Sequence, residues 1–449
     1  MTSVDHDTTS AWLTPYRPLF FEMLAGITRI RDDCVLLSDS SRGLLTEVNL
    51  KSETEQFSKS YSVNDYADVS SICYADGKLY STYQNKVYVA NYHETDDRLK
   101  NTLLLTVRDR GDLTGIAVTE QTIYLTTDQQ LILACDRQTE SITEIGTTPG
   151  KGIDDLCYFN GDLFVVDSKE QTVYCFDLET NTIIYEILTP FDNPTGITAV
   201  YSTKAKQEVL YVAYSRPSFE VYDTGDSEFQ LQIQTHYGSE REWTVADNFI
   251  YPLVYKLDEA HKTVLSNGVL VEMYYVEKLY ALPEVADAHP SVENLEWKIS
   301  LPMNSDRQHL VSLEKIGGFD MAIEEIAEEE HRKVAVFSIP KLDLHSERRI
   351  FGWKATVHMF GIRHCLAQET ARELTEDERL QFSRYLKNED QLDMDRESVQ
   401  KAAKDAVQHL KGSDRHNIIK KAEAIRDYIY EKITYRMDSY SDGTADVLR

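Results

Sequence analysis

The stretch DDLCYFNGDLFVVDSKEQTVYCFD, Asp154–Asp177, decides the fold. Its apolar residues fall in short alternating runs such as "DLFVVDS" and "TVYCFD", bounded by Gly, Asp, Asn and Ser. Alternation of period two sends successive side chains to opposite faces of an extended chain. The runs therefore read as β-strands and the polar residues between them as turns. The same grammar recurs in AGITRIRDDCVLLSDSSRGLLTEVNL, from Ala25, and SSICYADGKLYSTYQNKVYVANY, from Ser70. It returns in TGIAVTEQTIYLTTDQQLILACD, from Thr114, and TGITAVYSTKAKQEVLYVAYSRPSFEVYD, from Thr195. The apolar anchors Ile27, Ile72, Ile116, Leu156 and Ile197 follow one another at 45, 44, 40 and 41 residues.

Four short strands in a unit of roughly 40–45 residues is the spacing of a β-propeller blade, whereas a β-solenoid repeats at roughly 20–30. One blade cannot bury both its faces, so neighbours must supply the missing apolar surface. The sequence thus predicts a mainly β chain with an N-terminal β-propeller of five blades over residues 1–225. The strand-like RPLFFEM, residues 17–23, is placed to complete the last blade and close the ring. Two unrelated sandwiches are the remaining alternative. The repeat loosely resembles NHL and related six-bladed propellers; the Gly-His and Trp-Asp signatures of WD40 repeats are missing.

Asp68, Asp112 and Asn193 stand four residues before their anchors, with Asp154 close to the equivalent place. Innermost strands start near the central channel, so these four residues are candidates for a polar ligand-binding ring on one face. The plainer reading makes them turn-formers whose side chains cap backbone N–H groups. Asp39, Asp128 and Asp167, at the next turn, are expected to be structural.

From about residue 226 the repeat gives way to longer, irregularly spaced runs. These are FQLQIQTHY (229–237), GVLVEMYYVEKLYAL (268–282), LEWKISLP (295–302), RKVAVFSIP (332–340) and IFGWKATVHMFGIRHCL (350–366). Several long antiparallel strands with polar loops predict a β-sandwich over 226–370. FDMAIEEIAEEEHRK (319–333) reads as a short helix or an acidic loop. His331, His345, His358 and His364 are too dispersed to suggest a metal.

After residue 370 the periodicity becomes 3.6. LTEDERLQFSRYLK opens with a capping-box pattern, Thr375 and Glu378, and brings Leu380, Tyr385 and Leu386 near one stripe. RESVQKAAKDAVQHLKG aligns Val399, Ala402, Ala403, Ala406 and Leu410 and stops at Gly412. A third helix is expected from Ser413 or Asp414, with Ile418, Ala422, Ile425, Tyr428, Ile429 and Ile433 in line. This helical segment, 371–449, also carries a family resemblance. AEAIRDYIYEKITY (422–435) followed by GTADVLR (443–449) resembles the opening of the transglutaminase-like, papain-like cysteine superfamily, and the preceding sandwich resembles the β-domain found before such cores. The resemblance implies an amide hydrolase or acyltransferase using Cys, His and Asp. Its nucleophile would fall just beyond Arg449, so no catalytic residue is carried over; Cys365 beside His364 is not a substitute, lacking a facing base and a helix N-terminus.

Composition narrows the partners. With 75 acidic against 47 basic residues among 449, the net charge is −28, which disfavours nucleic acid and anionic membranes. The N-terminus lacks the basic and apolar regions of a signal peptide, and no run approaches the roughly 18 apolar residues of a membrane span. Six scattered cysteines without CxxC spacing read as buried free thiols in a reducing, cytoplasmic compartment. No cofactor or metal is expected. The chain as given is read as a non-catalytic recognition and positioning portion of a transglutaminase-like enzyme, taking a protein, peptide or glycan on the propeller face. The alternatives are a stand-alone propeller scaffold and a propeller hydrolase or lactonase with a metal in the channel held by the Asp68, Asp112, Asp154 and Asn193 group.

Overall fold

Each repeat folds into an antiparallel meander. The first four sheets are β1 (Leu24–Arg31), β2 (Cys34–Asp39), β3 (Leu44–Asn49) and β4 (Thr54–Gln56); β5 (Ser71–Ala75), β6 (Lys78–Tyr83), β7 (Lys86–Asn91) and β8 (Thr102–Thr106); β9 (Leu113–Val118), β10 (Thr122–Thr127), β11 (Leu131–Asp136) and β12 (Ile142–Thr147); and β13 (Ile153–Phe159), β14 (Asp162–Asp167), β15 (Thr172–Asp177) and β16 (Thr182–Leu188). The fifth holds β17 (Pro194–Ser202), β18 (Gln207–Pro217) and β19 (Ala246–Leu253). The computed structural model describes residues 15–18, 21–52, 54–56, 66–92, 99–217, 246–259, 262–279, 291–325, 333–343, 349–366, 371–388 and 394–432. The expected boundary at 225–226 and the run 229–237 lie outside them.

The first strands are neighbours in a closed cycle, β1 to β5, β9, β13, β17 and back to β1. This is the arrangement of a β-propeller. Each interface between successive sheets has its own apolar cluster. Leu36, Leu45, Val69 and Leu79 join the first two sheets; Val166, Val173, Val212 and Phe249 join the last two. Each such fully buried side chain contributes roughly 1.5–3 kcal/mol, so the ring is held by neighbours burying one another's faces.

The chain meets the last sheet at Tyr16, one residue before the run 17–23 that the sequence predicts as a closing strand; residues 17, 18 and 21–23 form no strand, and 19–20 lie outside the described residues. Tyr16 and Ile250 of β19 exchange both backbone hydrogen bonds, at 2.9 Å each. Arg17 pairs with Asp247 at 3.0 Å, and its guanidinium lies 5.3 Å from the centre of the Phe249 ring. Asn248 then clamps the approach to β1, accepting the Leu24 N–H at 3.1 Å and donating to the Phe21 carbonyl at 3.0 Å. On the opposite side, Asp33 accepts the Thr203 N–H at 2.8 Å, tying the β1–β2 turn to the β17–β18 turn.

Beyond the ring, β20 (Tyr255–Asp258), β21 (Thr263–Leu279), β22 (Ser291–Ser300), β23 (Gln308–Gly317), β24 (Asp320–Glu325), β25 (Lys333–Asp343) and β26 (Arg349–His364) form two sheets, ordered β20-β21-β26-β23 and β22-β25-β24. They face each other across Ile299, Phe319, Phe337, Phe351, Trp353 and Val357, making the predicted sandwich. Asp320–Glu325, read from sequence as helix or loop, is a strand, because β25 offers it a full antiparallel partner from Ser338 to Lys333. Residues 326–332, including His331, and His345 lie outside the described residues. Ser266 Oγ donates to the Leu188 carbonyl at 2.7 Å and Arg363 Nη2 to the Glu170 carbonyl at 2.9 Å, tying this pair of sheets to the fourth sheet of the ring.

The chain divides into two compact units, Met1–Cys365 and Leu366–Arg449. Among its described residues the second unit holds three α-helices, Glu376–Gln381, Glu397–Val407 and Ile418–Lys432. The capping box at Thr375 and Glu378 forms, with the Glu378 N–H donated to Thr375 Oγ1 at 3.3 Å and the Thr375 N–H to Glu378 Oε2 at 2.8 Å. The third helix starts later than expected, at Ile418. Residues Gly412–His416 close a 3-10 turn, and Asn417 Oδ1 caps the helix by accepting the N–H groups of Ile419 and Lys420 at 3.0 and 3.1 Å. Ile433 and residues 443–449 lie outside the described residues. Leu380, Tyr385, Ile418 and Ile429 are exposed, and Ala406 and Ala424 are the buried apolar residues of this unit among those described.

Replacing Asn248 by Ala strands the buried Leu24 N–H, so Asn248→Ala is expected to cost about 1–3 kcal/mol in urea unfolding followed by circular dichroism. An unchanged unfolding free energy contradicts this account of ring closure.

Candidate functional site

The innermost strand of a blade has a paired edge toward its own sheet and a bare edge toward the axis. Buried N–H groups on that bare edge need acceptors from somewhere else. They come from the next strand in the ring. Thr198 Oγ1 on β17 accepts the Arg29 N–H of β1 at 3.1 Å, and Thr28 Oγ1 on β1 accepts the Tyr74 N–H at 2.9 Å. Cys73 stands at the matching place on β5. One layer nearer the strand starts stand Gly26, Ser71, Gly115, Asp155 and Gly196, each directly before its anchor. A Cβ at Gly115 would come 2.8 Å from Asp155 Cα, so only glycine lets those two strands approach.

Asp155 occupies the centre of that layer. Its Oδ2 accepts the Ile197 N–H at 3.0 Å, and its Oδ1 meets the Ser71 hydroxyl at 2.5 Å. One buried carboxylate therefore links β13 to both β5 and β17. Burial pushes its pKa well above the ordinary carboxylate value, although the Ser71 and Ile197 hydrogen bonds pull the other way.

Past this layer the ring opens. A cavity of about 290 Å³ is lined by the finishing halves of all five inner strands, with Thr28, Cys73, Cys157 and Thr198 in its wall. It shares Arg29, Phe159, Asn160 and Glu208 with a larger cleft of about 1200 Å³ running between the fourth and fifth sheets to β20. The floor of the cleft is an aromatic ladder. Ring centres of Phe159 and Phe164 are 5.7 Å apart, Phe164 and Tyr255 6.4 Å, and Tyr255 and Tyr185 6.0 Å. The Tyr185 and Tyr255 hydroxyls lie 3.3 Å from each other. Burial raises the Tyr255 pKa to about 12 and raises that of Tyr185 as well. The rim is ionic: Arg29 bridges Glu208 at 2.9 Å and Asp32 at 3.0 Å, with Asp162 alongside, its pKa raised by burial and by Asp177.

The four residues singled out from sequence lie at the other end of the same strands, and none lines these two cavities. Asp68 and Asn193 adopt φ of 58° and 51° at turns, and the Asp112 N–H is held by Asp128 Oδ1 at 2.9 Å. Asp154 is the bulged residue of β13; its Oδ2 is buried without a hydrogen-bond partner, and burial raises its pKa to about 6. Asp39, Asp128 and Asp167 accept backbone N–H groups at the adjoining turn, with Glu22 N at 2.9 Å from Asp39 and Glu170 N at 2.9 Å from Asp167. Among the described residues no three His, Cys, Asp or Glu side chains gather as metal ligands. The sequence reading missed Asp155 and Ser71, which the repeat alignment places one residue before the anchors.

No family model matches the chain, and no curated protein matches it. Among solved structures it is similar to the nidogen/laminin complex, at 14% identity and a TM-score of 0.32 over 41% of this chain and 71% of that one. It is also similar to the glutaminyl cyclase of Myxococcus xanthus, at 12% identity and a TM-score of 0.33 over 44% and 88%. A streptogramin B lyase matches at 16% identity and a TM-score of 0.30 over 44% and 65%. The fold assignment rests on the strand topology itself.

Because the Asp155 pKa is higher folded than unfolded, its protonated form favours the fold. That contribution is complete below the unfolded value of about 3.9 and declines as pH rises through the raised folded value. Asp155→Asn keeps an acceptor for the Ile197 N–H and is expected to flatten the fall in stability above pH ~4, read by urea unfolding across pH. Asp155→Ala is expected to cost about 1–3 kcal/mol. An Asn variant whose pH profile parallels the parent's contradicts the assignment.

Proposed function

We propose that this chain is a recognition and positioning module built on a five-bladed propeller, which β19 carries past the expected limit of 225 to Leu253, followed by a sandwich to about 370 and a helical segment. Its ligand, a protein, peptide or glycan, would lie in the aromatic cleft at the finishing ends of the inner strands. The observation that carries this reading is the chemistry of the cavity wall. Two thiols line the funnel, Cys73 and Cys157, and burial holds both protonated, Cys73 at about 12 and Cys157 well above the ordinary thiol value. A raised pKa is the reverse of what a cysteine nucleophile needs, while aromatic faces and a charged rim are what a binding surface offers. Cys365 is likewise raised by burial. Asp68, Asp112, Asp154 and Asn193 are proposed as a second polar rim on the opposite face, where the unpartnered Asp154 Oδ2 favours a hydrogen-bond-donating ligand.

A second reading concerns the helices. The parent protein would be a transglutaminase-like cysteine peptidase or acyltransferase of the cytoplasm, with this chain as its non-catalytic part. The exposure of Leu380, Tyr385, Ile418 and Ile429 favours it, because helices that lead into a larger domain keep such side chains for that domain's surface.

Arrays of defined glycans and peptides probed with the wild-type chain and with Tyr255→Ala are expected to show ligands whose binding weakens about tenfold or more in the variant. Incubation with a glutamine-donor peptide and an amine is expected to give no turnover that thiol alkylation abolishes. Alkylation-sensitive turnover, or ligands indifferent to Tyr255, contradicts the proposal.

A further inference from the structure

Three cations of the first unit lie over an aromatic ring, and a carboxylate holds each one. Arg17 meets Asp247 at 3.0 Å and lies 5.3 Å from the centre of the Phe249 ring. Arg137 meets Asp76 at 3.0 Å and lies 5.9 Å from the centre of the Tyr80 ring. Lys354 meets Glu272 at 2.8 Å and lies 5.4 Å from the centre of the Tyr274 ring. The chemistry is general: a ring face attracts a cation, and a neighbouring carboxylate fixes its position.

The aromatic cleft contains the same acid and rings without the cation. Asp162 stands directly opposite Phe159 across the β13–β14 hairpin, so both side chains lie on one face of the fourth sheet. Phe164, two residues on, shares that face, and Tyr255 packs against it from β20. Asp162, Phe159 and Tyr255 are half-buried, so each still reaches the open part of the cleft. Among the described residues, the hydrogen-bond donor to Asp162 is the Cys175 thiol, 3.9 Å from Oδ2, and the charges that act on it are Asp177 and Glu179, both negative. The two cations in the cleft wall do not serve it. Arg29 bridges Asp32 and Glu208, and Lys256 alternates with Tyr255 and Leu257 on β20, which turns it to the other face of that strand.

We propose that the ligand of this cleft is a peptide segment that inserts a basic side chain, arginine or lysine, its cation on the Asp162 carboxylate and among the neighbouring aromatic faces. This rests on the reading of the cleft as a binding surface and names what that surface selects. A cleft of about 1200 Å³ holds far more than one cationic head, which favours a length of peptide over a free amine. One carboxylate in an aromatic wall is a poor seat for a hard metal ion, which takes roughly six to eight oxygens. The net charge of −28 draws basic segments toward the chain, and the cleft gives one of them a place to stay.

Short acetylated and amidated peptides with a central arginine or lysine, arrayed beside the same peptides carrying citrulline or acetyl-lysine, probe the full chain. The replacements keep the length of the side chain and remove its charge. Peptides bound by the wild type are expected to weaken about tenfold or more on replacement, and about tenfold in Asp162→Asn. Glu296→Gln, an equal change of net charge on β22, is expected to leave them within about twofold. Circular dichroism checks that the variants keep their strands, and the comparison between charged and neutral peptides needs no variant. Ligands that depend on Tyr255 but tolerate the neutral replacements or Asp162→Asn, glycans included, overturn this inference and leave the binding reading standing. Ligands indifferent to Tyr255 overturn both. Basic peptides that fail to bind, or that weaken as much in Glu296→Gln as in Asp162→Asn, also overturn the inference.

Discussion

The bare edges of the innermost strands set the terms for everything else in the first unit. A strand at the axis of a ring of sheets has no sheet on its inner side. Its N–H groups must find acceptors or cost about 1–3 kcal/mol each. Thr198, Thr28 and Asp155 answer this by reaching from one strand to the backbone of the next. These bonds run between blades, so they fix the register of neighbours that apolar packing alone leaves free to slide. Asp155 goes furthest, joining three sheets through one carboxylate with Ser71 and Ile197. A group so buried tolerates a proton more easily than a charge, which is why its pKa climbs although two donors face it.

The same layer decides where a ligand has room. Glycines at 26, 115 and 196 draw the inner strands together around the Asp155 side chain, and the axis is filled there. The space widens only toward the finishing ends, where the cavity of about 290 Å³ joins the cleft of about 1200 Å³. Closure at one level thus produces concavity at the next. The aromatic ladder from Phe159 to Tyr185 owes its position to the fourth and fifth sheets diverging as they leave the axis, with β20 filling the outer side.

Much of this was legible in the sequence, for stated physical reasons. Alternation and turn residues give the strands, and the interval between Ile27, Ile72, Ile116, Leu156 and Ile197 gives the repeat, because both are local consequences of backbone geometry. The capping box at Thr375 and Glu378 is local too, and it forms. Failures occur where a distant partner decides. Asp320–Glu325 carries a helix-compatible spacing, but β25 supplies a complete ladder and extended pairing wins. Ser413 and Asp414 are good capping residues, yet the 3-10 turn hands that role to Asn417. The site shows the same division. Asp68, Asp112 and Asn193 were visible as polar residues at strand starts, while Asp155 was not singled out beside Asp154. Only the ring shows that Asp155 points to the axis and Asp154 sits in a bulge. The aligned column Gly26, Ser71, Gly115, Asp155, Gly196 held that signal, in the contrast of one acid among residues with almost no side chain.

Native-state hydrogen exchange on the amides of Arg29, Tyr74 and Ile197 tests the central claim most directly, because these groups have side-chain acceptors and no strand partner on the axial side. Protection approaching that of the paired amides of β14 and β15 is the predicted result, with exchange only through opening of the ring. Exchange at the rate of a free, solvated strand edge would contradict it.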